Sequence, residues 1–215
     1  MTTFPSGFFD RADESPDAEF YAVERLVTHL DPPALAEVTR LYRELELEGD
    51  VLDLCSSWVS HFETAPEHLV AIGMNVDELD ANPALSEYLI QDLNDDPILP
   101  VPDASVDAVT CCVSVDDLTR PVAVFAEVAR VLRPGAPFVV TFSNRCFPTK
   151  AIRGWLATDD RGRCTIVAIY FDQAGLFDEP TVESRNPATT GDALYAVWAR
   201  RRSDDSNRFP DRPNS

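Results

Sequence analysis

Five short segments, separated by stretches of different periodicity, constrain this chain more than any other feature. They are DVLDLC (50–55), HLVAIG (68–73), EYLIQD (87–92), DAVTCCVS (107–114) and APFVVTFS (136–143). Short apolar runs of this kind read as strands buried on both faces rather than as strands with one wet side. Between the fourth and fifth, Phe125, Val128, Ala129 and Leu132 share one helical face, and RPG (133–135) closes that helix. Further on, TIVAIYFDQAG (165–175) reads as a helix despite its β-branched residues, and ALYAVWAR (193–200) alternates like a last strand. Short strands alternating with helices require an α/β architecture, a mainly parallel sheet wound with helices on both faces.

Ahead of the sheet, residues 1–14 read as an N-terminal arm. Residues 15–48 read as two helices. Ser15-Pro16 and Asp31-Pro32 are cap-then-proline starts. Phe20, Val23, Val27 and Leu30 keep helical spacing after the first, and Leu35, Val38, Leu41, Tyr42 and Leu45 after the second, with Gly49 as the stop. A single domain over 15–201 follows, with a ligand-binding half (50–143) and a C-terminal part (144–201). The polar, proline-bearing 202–215 reads as a disordered tail.

Charge narrows the partners. Thirty-seven acids against eighteen bases give a net charge of −19 over 215 residues, and Lys150 is the sole lysine. Such a surface repels phosphate backbones and anionic lipid, so neither nucleic acid nor membrane is expected as a partner. The acids are spread along the whole chain, which favours a shell adapted to concentrated salt, as in an acidic proteome, over a docking face for a basic partner. There is no run of eighteen apolar residues and no basic-then-apolar leader, so a cytoplasmic protein is expected. Cys55, Cys111, Cys112, Cys146 and Cys164 lack CxxC spacing and are expected as reduced thiols, with no metal site.

In an open parallel sheet, ligands bind outside the carboxyl ends of the strands, where strand order reverses. Asp53, Asn75, Asp92 and Val113 end the first four strands and should therefore surround one ligand, with Cys55, Ser56, Ser57, Trp58, Met74 and Leu93 in the same turns. The interval from Asp53 to Asn75 suits a strand–helix–strand unit. Trp58 and His61 would stand at the start of that helix. A nicotinamide enzyme needs GxGxxG there, which CSSWVSHF does not supply.

The order of elements, with VLDLCSSWVSH, VAIGMN, YLIQDLNDDPILPVPDASVDAVTCCVSVDDL and FAEVARVLRPGAPFVVTFSN, resembles the class I S-adenosylmethionine-dependent methyltransferases over residues 20–200, small-molecule members in particular. The resemblance implies a Rossmann-like, doubly wound sheet of seven strands. It also implies S-adenosylmethionine as cofactor, with Asp53 and its turn against it, position 75 on the ribose hydroxyls and Asp92 on the adenine amino group. Residues of an N-terminal helix, Tyr21 and Arg25, and of the loop after strand five, Asn144 and Arg145, would meet a small-molecule or protein acceptor. Asp116, beside Asp117, is the best-placed base. The first motif is degenerate: Cys55, Ser57 and Val59 stand where glycine is usual, and Asn75 replaces an acid. A β-branched residue at positive φ is costly, so Val59 is expected at ordinary negative φ with the turn reshaped. Together these changes should weaken cofactor binding by about 2–4 kcal/mol, roughly 30- to 1000-fold.

A catalytically inactive descendant, kept as a ligand sensor or interaction module, is the alternative. Thiol chemistry at Cys55 and Cys146 is a third, and it requires a depressed pKa in at least one of them. The charge itself makes a prediction. Self-repulsion of the acidic shell should lower the thermal midpoint in dilute buffer and molar potassium chloride should raise it; a midpoint independent of salt would remove the salt-adaptation reading.

Overall fold

The computed structural model describes residues 4–186 and 191–203. Seven strands form one sheet in the order β3-β2-β1-β4-β5-β7-β6. They are β1 (Asp50–Leu54), β2 (His68–Gly73), β3 (Glu87–Ile90), β4 (Ala108–Cys112), β5 (Pro137–Ser143), β6 (Thr181–Ser184) and β7 (Leu194–Arg200). The first five run parallel, and β7 pairs antiparallel with both β5 and β6. The doubly wound, mainly parallel sheet expected from the sequence is therefore present. β6 was not legible: TVES is an edge strand, almost wholly exposed, and an exposed edge imposes no apolar period.

Alternation along the strands divides the core between the two faces. Leu52, Leu54, Phe138, Val140 and Phe142 face α4 (Pro121–Val131) and α6 (Asp160–Ala174), where Phe125 and Phe171 pack edge to face at 4.8 Å. Val51, Val139, Leu194 and Ala196 face α2 (Pro32–Glu44) through Val38, Leu41 and Tyr42. α2 starts as its sequence dictates: Asp31 accepts from the Ala34 N–H and Pro32 opens the first turn. The turn out of α2 places Glu46, not Gly49, first in the left-handed region, at φ 53°. Gly49 instead meets Asp107, whose carboxylate oxygen would lie 2.5 Å from an added Cβ. α6 begins at Asp160, ahead of the expected segment, because Asp159 caps it through the Gly162 N–H.

The first N-terminal helix does not form as expected. α1 (Asp17–Phe20) is a single turn, and residues 21–31 cross the sheet's carboxyl edge as an irregular strap. Bonds to other groups replace the helical ladder. Asn75 Nδ2 donates to the Tyr21 carbonyl, the Arg25 N–H goes to Glu78, and the Arg25 guanidinium takes the Phe20 carbonyl. Val23 and Val27, expected on a buried stripe, are 65% and 56% exposed. The two remaining short helices are α3 (Val76–Asp80) and α5 (Arg153–Leu156).

Residues 4–14, set apart by sequence as an arm, lie against the domain. Phe4, Phe8 and Phe9 pack on the α6 side of the core, and the Gly154 N–H donates to the Phe8 carbonyl. Of the expected tail, residues 204–215 lie outside the described residues, while the Arg202 N–H bonds the Leu176 carbonyl. Among the described residues no helix is long and apolar enough to cross a membrane.

Lys150 fastens the strap's entrance. Its ammonium is fully buried, 2.7 Å from the Ser15 carbonyl and 3.1 Å from an Asp17 carboxylate oxygen. Asp17 also accepts from Arg11 and from Asn94 Nδ2, both at 2.8 Å. Burial works to raise the Asp17 pKa, but the bonds from Arg11, Asn94 and Lys150 hold it below the usual carboxylate value. Removing one member of a buried ion pair costs about 3–5 kcal/mol. Lys150→Met should therefore lose about 3 kcal/mol in urea unfolding, and loss of under ~0.5 kcal/mol would show that the network contributes little.

Candidate functional site

The carboxyl ends of β1 to β4 open on one crevice, roofed by the strap. Asp53 stands at its floor. Its carboxylate is buried and accepts from Thr110 Oγ1 at 2.6 Å, Ser56 Oγ at 2.7 Å and Ser60 Oγ at 3.4 Å. Burial pushes its pKa above the ordinary value, though the three hydroxyls work the other way. The next turn carries no glycine, yet it keeps a glycine conformation. Cys55 lies at φ 52°, and Val113, at the end of β4, at φ 47°. Val59 is not among the residues at positive φ, as expected from its branched side chain. The strain falls on Cys55 and Val113 instead, where an L residue costs about 1–3 kcal/mol.

The helix expected between β1 and β2 is absent: residues 55–67 are irregular. Hydroxyl side chains that bond locally compete with helix formation. Here Ser56 and Ser60 bond Asp53, Ser57 bonds Glu78 at 2.6 Å, and Asn82 holds the Ser57 carbonyl. Trp58 donates its indole N–H to the Val27 carbonyl of the strap. His61, expected at a helix start, lines the crevice wall, where burial lowers its pKa to about 4.

At the end of β2, Asn75 caps α3 by accepting from the Glu78 N–H while its amide donates to the strap. Glu78 was not anticipated as a site residue. It bridges the Ser57 hydroxyl and the Arg25 N–H inside the crevice. The Asn75…Glu78 spacing is a capping box, a signal for a helix start that gives no hint of this second use. Met74 lines the crevice beside them.

At the end of β3, Asp92 accepts from the Asn94 N–H and, with Leu93, faces the crevice. After β4, a 3-10 turn (Val115–Asp117) presents two adjacent acids. Tyr21 Oη donates to Asp117 Oδ2 at 2.5 Å. Asp117 Oδ1 is buried without a hydrogen-bond partner, and Asp116 is 2% exposed. Burial, then the charge of Asp117, drives Asp116 well above the usual carboxylate range. Burial likewise lifts Asp117 to about 6, with Tyr21 and Arg11 pulling down and Asp17 pushing up.

Across the crevice, the loop after β5 contributes Arg145, Cys146 and Phe147. Arg145 is turned to Asp192 at 2.9 Å, and Asn144 is exposed and does not line the crevice. Burial raises the Cys146 thiol above its ordinary value, the opposite of what thiol chemistry requires. Cys112, the last residue of β4, is half-buried and lines the crevice. All ten residues expected to surround a cofactor therefore lie on this one crevice, together with Tyr21, Arg25, Arg145 and Asp116. Asp17, Glu78 and Phe147, which the sequence did not single out, join them.

The acid pair gives the fold a pH signature. Asp117 is raised from 3.8 to about 6, so between those values the folded state holds a proton that the unfolded chain has lost. That stabilising contribution is complete below about pH 4 and is lost as pH rises through about 6. The titratable and charged groups that act on the pair are Tyr21, Asp17, Arg11, Arg163, Tyr170 and Cys146. In urea unfolding, the stability of wild type relative to Asp117→Asn should fall by about 1–3 kcal/mol between pH 4 and 7; a constant difference would show that Asp117 ionises freely.

Comparison with known proteins agrees with this geometry. Residues 62–140 match the family described as a methyltransferase domain, a match that begins after the glycine-less turn. No curated protein sequence matches the chain. Solved structures do. A Haloferax volcanii putative methyltransferase, determined in complex with the Trm112 methyltransferase activator, superposes with TM-score 0.59 at 14% identity, over 80% of this chain and 90% of that one. An Archaeoglobus fulgidus S-adenosylmethionine-dependent methyltransferase gives 0.57 at 14%, over 79% and 94%. Haemonchus contortus phosphoethanolamine N-methyltransferase 2, bound to phosphomonomethylethanolamine and S-adenosylhomocysteine, gives 0.54 at 10%, over 78% and 53%. Residues 62–140 thus carry methyltransferase-domain sequence, in a chain whose seven-stranded sheet has the fold of the S-adenosylmethionine-dependent methyltransferases on which it superposes.

Proposed function

We propose that this protein binds S-adenosylmethionine in the crevice and transfers its methyl group to a small molecule or a protein side chain in the cytoplasm. The observation that carries this reading is the convergence of four strand ends on one crevice, with Cys55 held in the conformation of the glycine it replaces. The side chains in the turn suit a close-approaching ligand, since Cys55, Ser56 and Ser57 are all small. Gly73 lies so close beneath them that an added Cβ would stand 2.5 Å from the Ser56 carbonyl. In this reading Asp53 fixes the turn that faces the cofactor. Asn75 or Glu78 bonds the ribose, and Asp92 and Leu93 meet the adenine.

The cofactor supplies a methyl group on a cationic sulfur. The chain's own contribution is to place an acceptor in line and keep water out, since positioning carries much of such a rate. The strap roofs the crevice, and Asp116 and Asp117 are the groups able to take a proton from the acceptor.

One observation favours the alternative of an inactive sensor or interaction module. Asn75 and Glu78 are both bonded to the strap, so a ligand that used them would have to displace it. Calorimetric titration of S-adenosylmethionine and S-adenosylhomocysteine, in molar potassium chloride, separates the two readings. The methyltransferase reading expects saturation below about 1 mM, with loss of at least tenfold in affinity for Asp92→Ala. No heat at several millimolar from folded protein would leave the scaffold without this cofactor.

A further inference from the structure

We infer that the methyl acceptor is an amine, which docks as a cation between the Asp116–Asp117 carboxyl pair and the rings of Tyr21 and Phe147. The inference rests on the methyltransferase reading for its chemistry, but the binding site it describes stands on its own geometry.

Of the six carboxylates that line the crevice, four already have their partners. Asp17 pairs with Arg11 and Lys150, Asp53 accepts three hydroxyls, Glu78 holds the strap and Asp92 accepts from the Asn94 N–H. Asp116 and Asp117 stand side by side, with the Tyr21 hydroxyl bonded to one oxygen of Asp117. Among the described residues no Arg, Lys or His nitrogen lies within 4 Å of either carboxylate, although Asp116 is almost fully buried. Asp117 Oδ1 is buried, and among the described residues it accepts from no N–H or hydroxyl, leaving the carboxyl of Asp116 as its neighbour. Buried carboxyl groups without a cation are costly unless a charge arrives to meet them.

The facing wall is aromatic. Tyr21 and Phe147 have ring centroids 6.3 Å apart and meet edge to face, and the Tyr21 hydroxyl reaches Asp117. That this wall accepts positive charge is visible already: the Arg25 guanidinium stands 4.5 Å from the Phe20 ring centroid and 5.6 Å from that of Phe147. Cations are attracted to such ring faces at this range. An anionic acceptor would find no free partner here. Arg25 is spent on the Phe20 and Val23 carbonyls, and Arg145 on Asp192.

The chemistry balances. An ammonium R–NH3+ gives one proton to Asp117, the ionised member of the pair, leaving R–NH2. The nitrogen lone pair then forms the N–CH3 bond while the bond from methyl to the sulfonium donor breaks, and that bonding pair stays on sulfur as a neutral thioether. The methylated product leaves as R–NH2+–CH3.

The test is equilibrium binding of three small probes of one shape, benzylammonium, benzyl alcohol and benzoate, followed by ligand-detected NMR in molar potassium chloride, with and without S-adenosylhomocysteine. Benzylammonium should bind about tenfold tighter than either of the others. That preference should be lost in Asp117→Asn and weakened in Tyr21→Phe, and retained in Glu48→Gln, which removes an exposed charge elsewhere. Equal binding of the alcohol or the benzoate by wild type overturns the inference, as does an unchanged preference in folded Asp117→Asn. If benzylammonium binds selectively while S-adenosylhomocysteine does not bind, the cation site stands and the methyltransferase reading falls.

Discussion

A single buried carboxylate, that of Asp53, holds the crevice in shape. It ties β1 to β4 through Thr110 and reaches forward to Ser56 and Ser60 in the turn beyond. In doubly wound sheets that turn normally leads into a helix whose first N–H groups organise the ligand's approach. Here no helix follows, so the turn has no such anchor, and hydroxyls bonded to Asp53 replace it. The left-handed backbone at Cys55 persists on the same account, because a strained residue survives where its surroundings over-determine it.

The roof of the crevice depends on a second buried charge cluster. Asp17 draws Arg11, Lys150 and Asn94 together, joining the chain's beginning to the loop after β5 and to the end of β3. From that anchor the strap runs over the sheet edge on bonds made almost entirely to crevice side chains. On the proposed reading, a ligand that bonds Asn75 or Glu78 competes with the strap for them, and its affinity is its intrinsic affinity reduced by the cost of freeing that residue.

How much of this was readable in advance follows from the range of the forces involved. β1, β2, β4 and β5 were legible because their burial leaves an apolar run that needs no partner to be recognised, and β7 because it alternates; β3, read as doubly buried, is a half-exposed edge strand whose short apolar run sufficed to place it. The convergence of Asp53, Asn75, Asp92 and Val113 was legible because strand order alone dictates it. The strap was not. Phe20, Val23, Val27 and Leu30 keep a helical period, but the carbonyls that would sustain the helix are taken by Asn75 and by the Arg25 guanidinium. The missing helix after β1 failed for the same reason, since Ser56, Ser57 and Ser60 bond carboxylates rather than the helical backbone. Glu78 and Asp17 were missed because their partners come from far along the chain, which no local pattern records.

The burial of Lys150 has a practical side. The chain's one side-chain amine is sealed behind the Asp17 cluster, at the point where the strap begins. Acylating reagents aimed at lysine will find no exposed lysine on the folded molecule. The rate at which Lys150 becomes labelled is then a clock for the opening of the roof, built into the protein without any added probe.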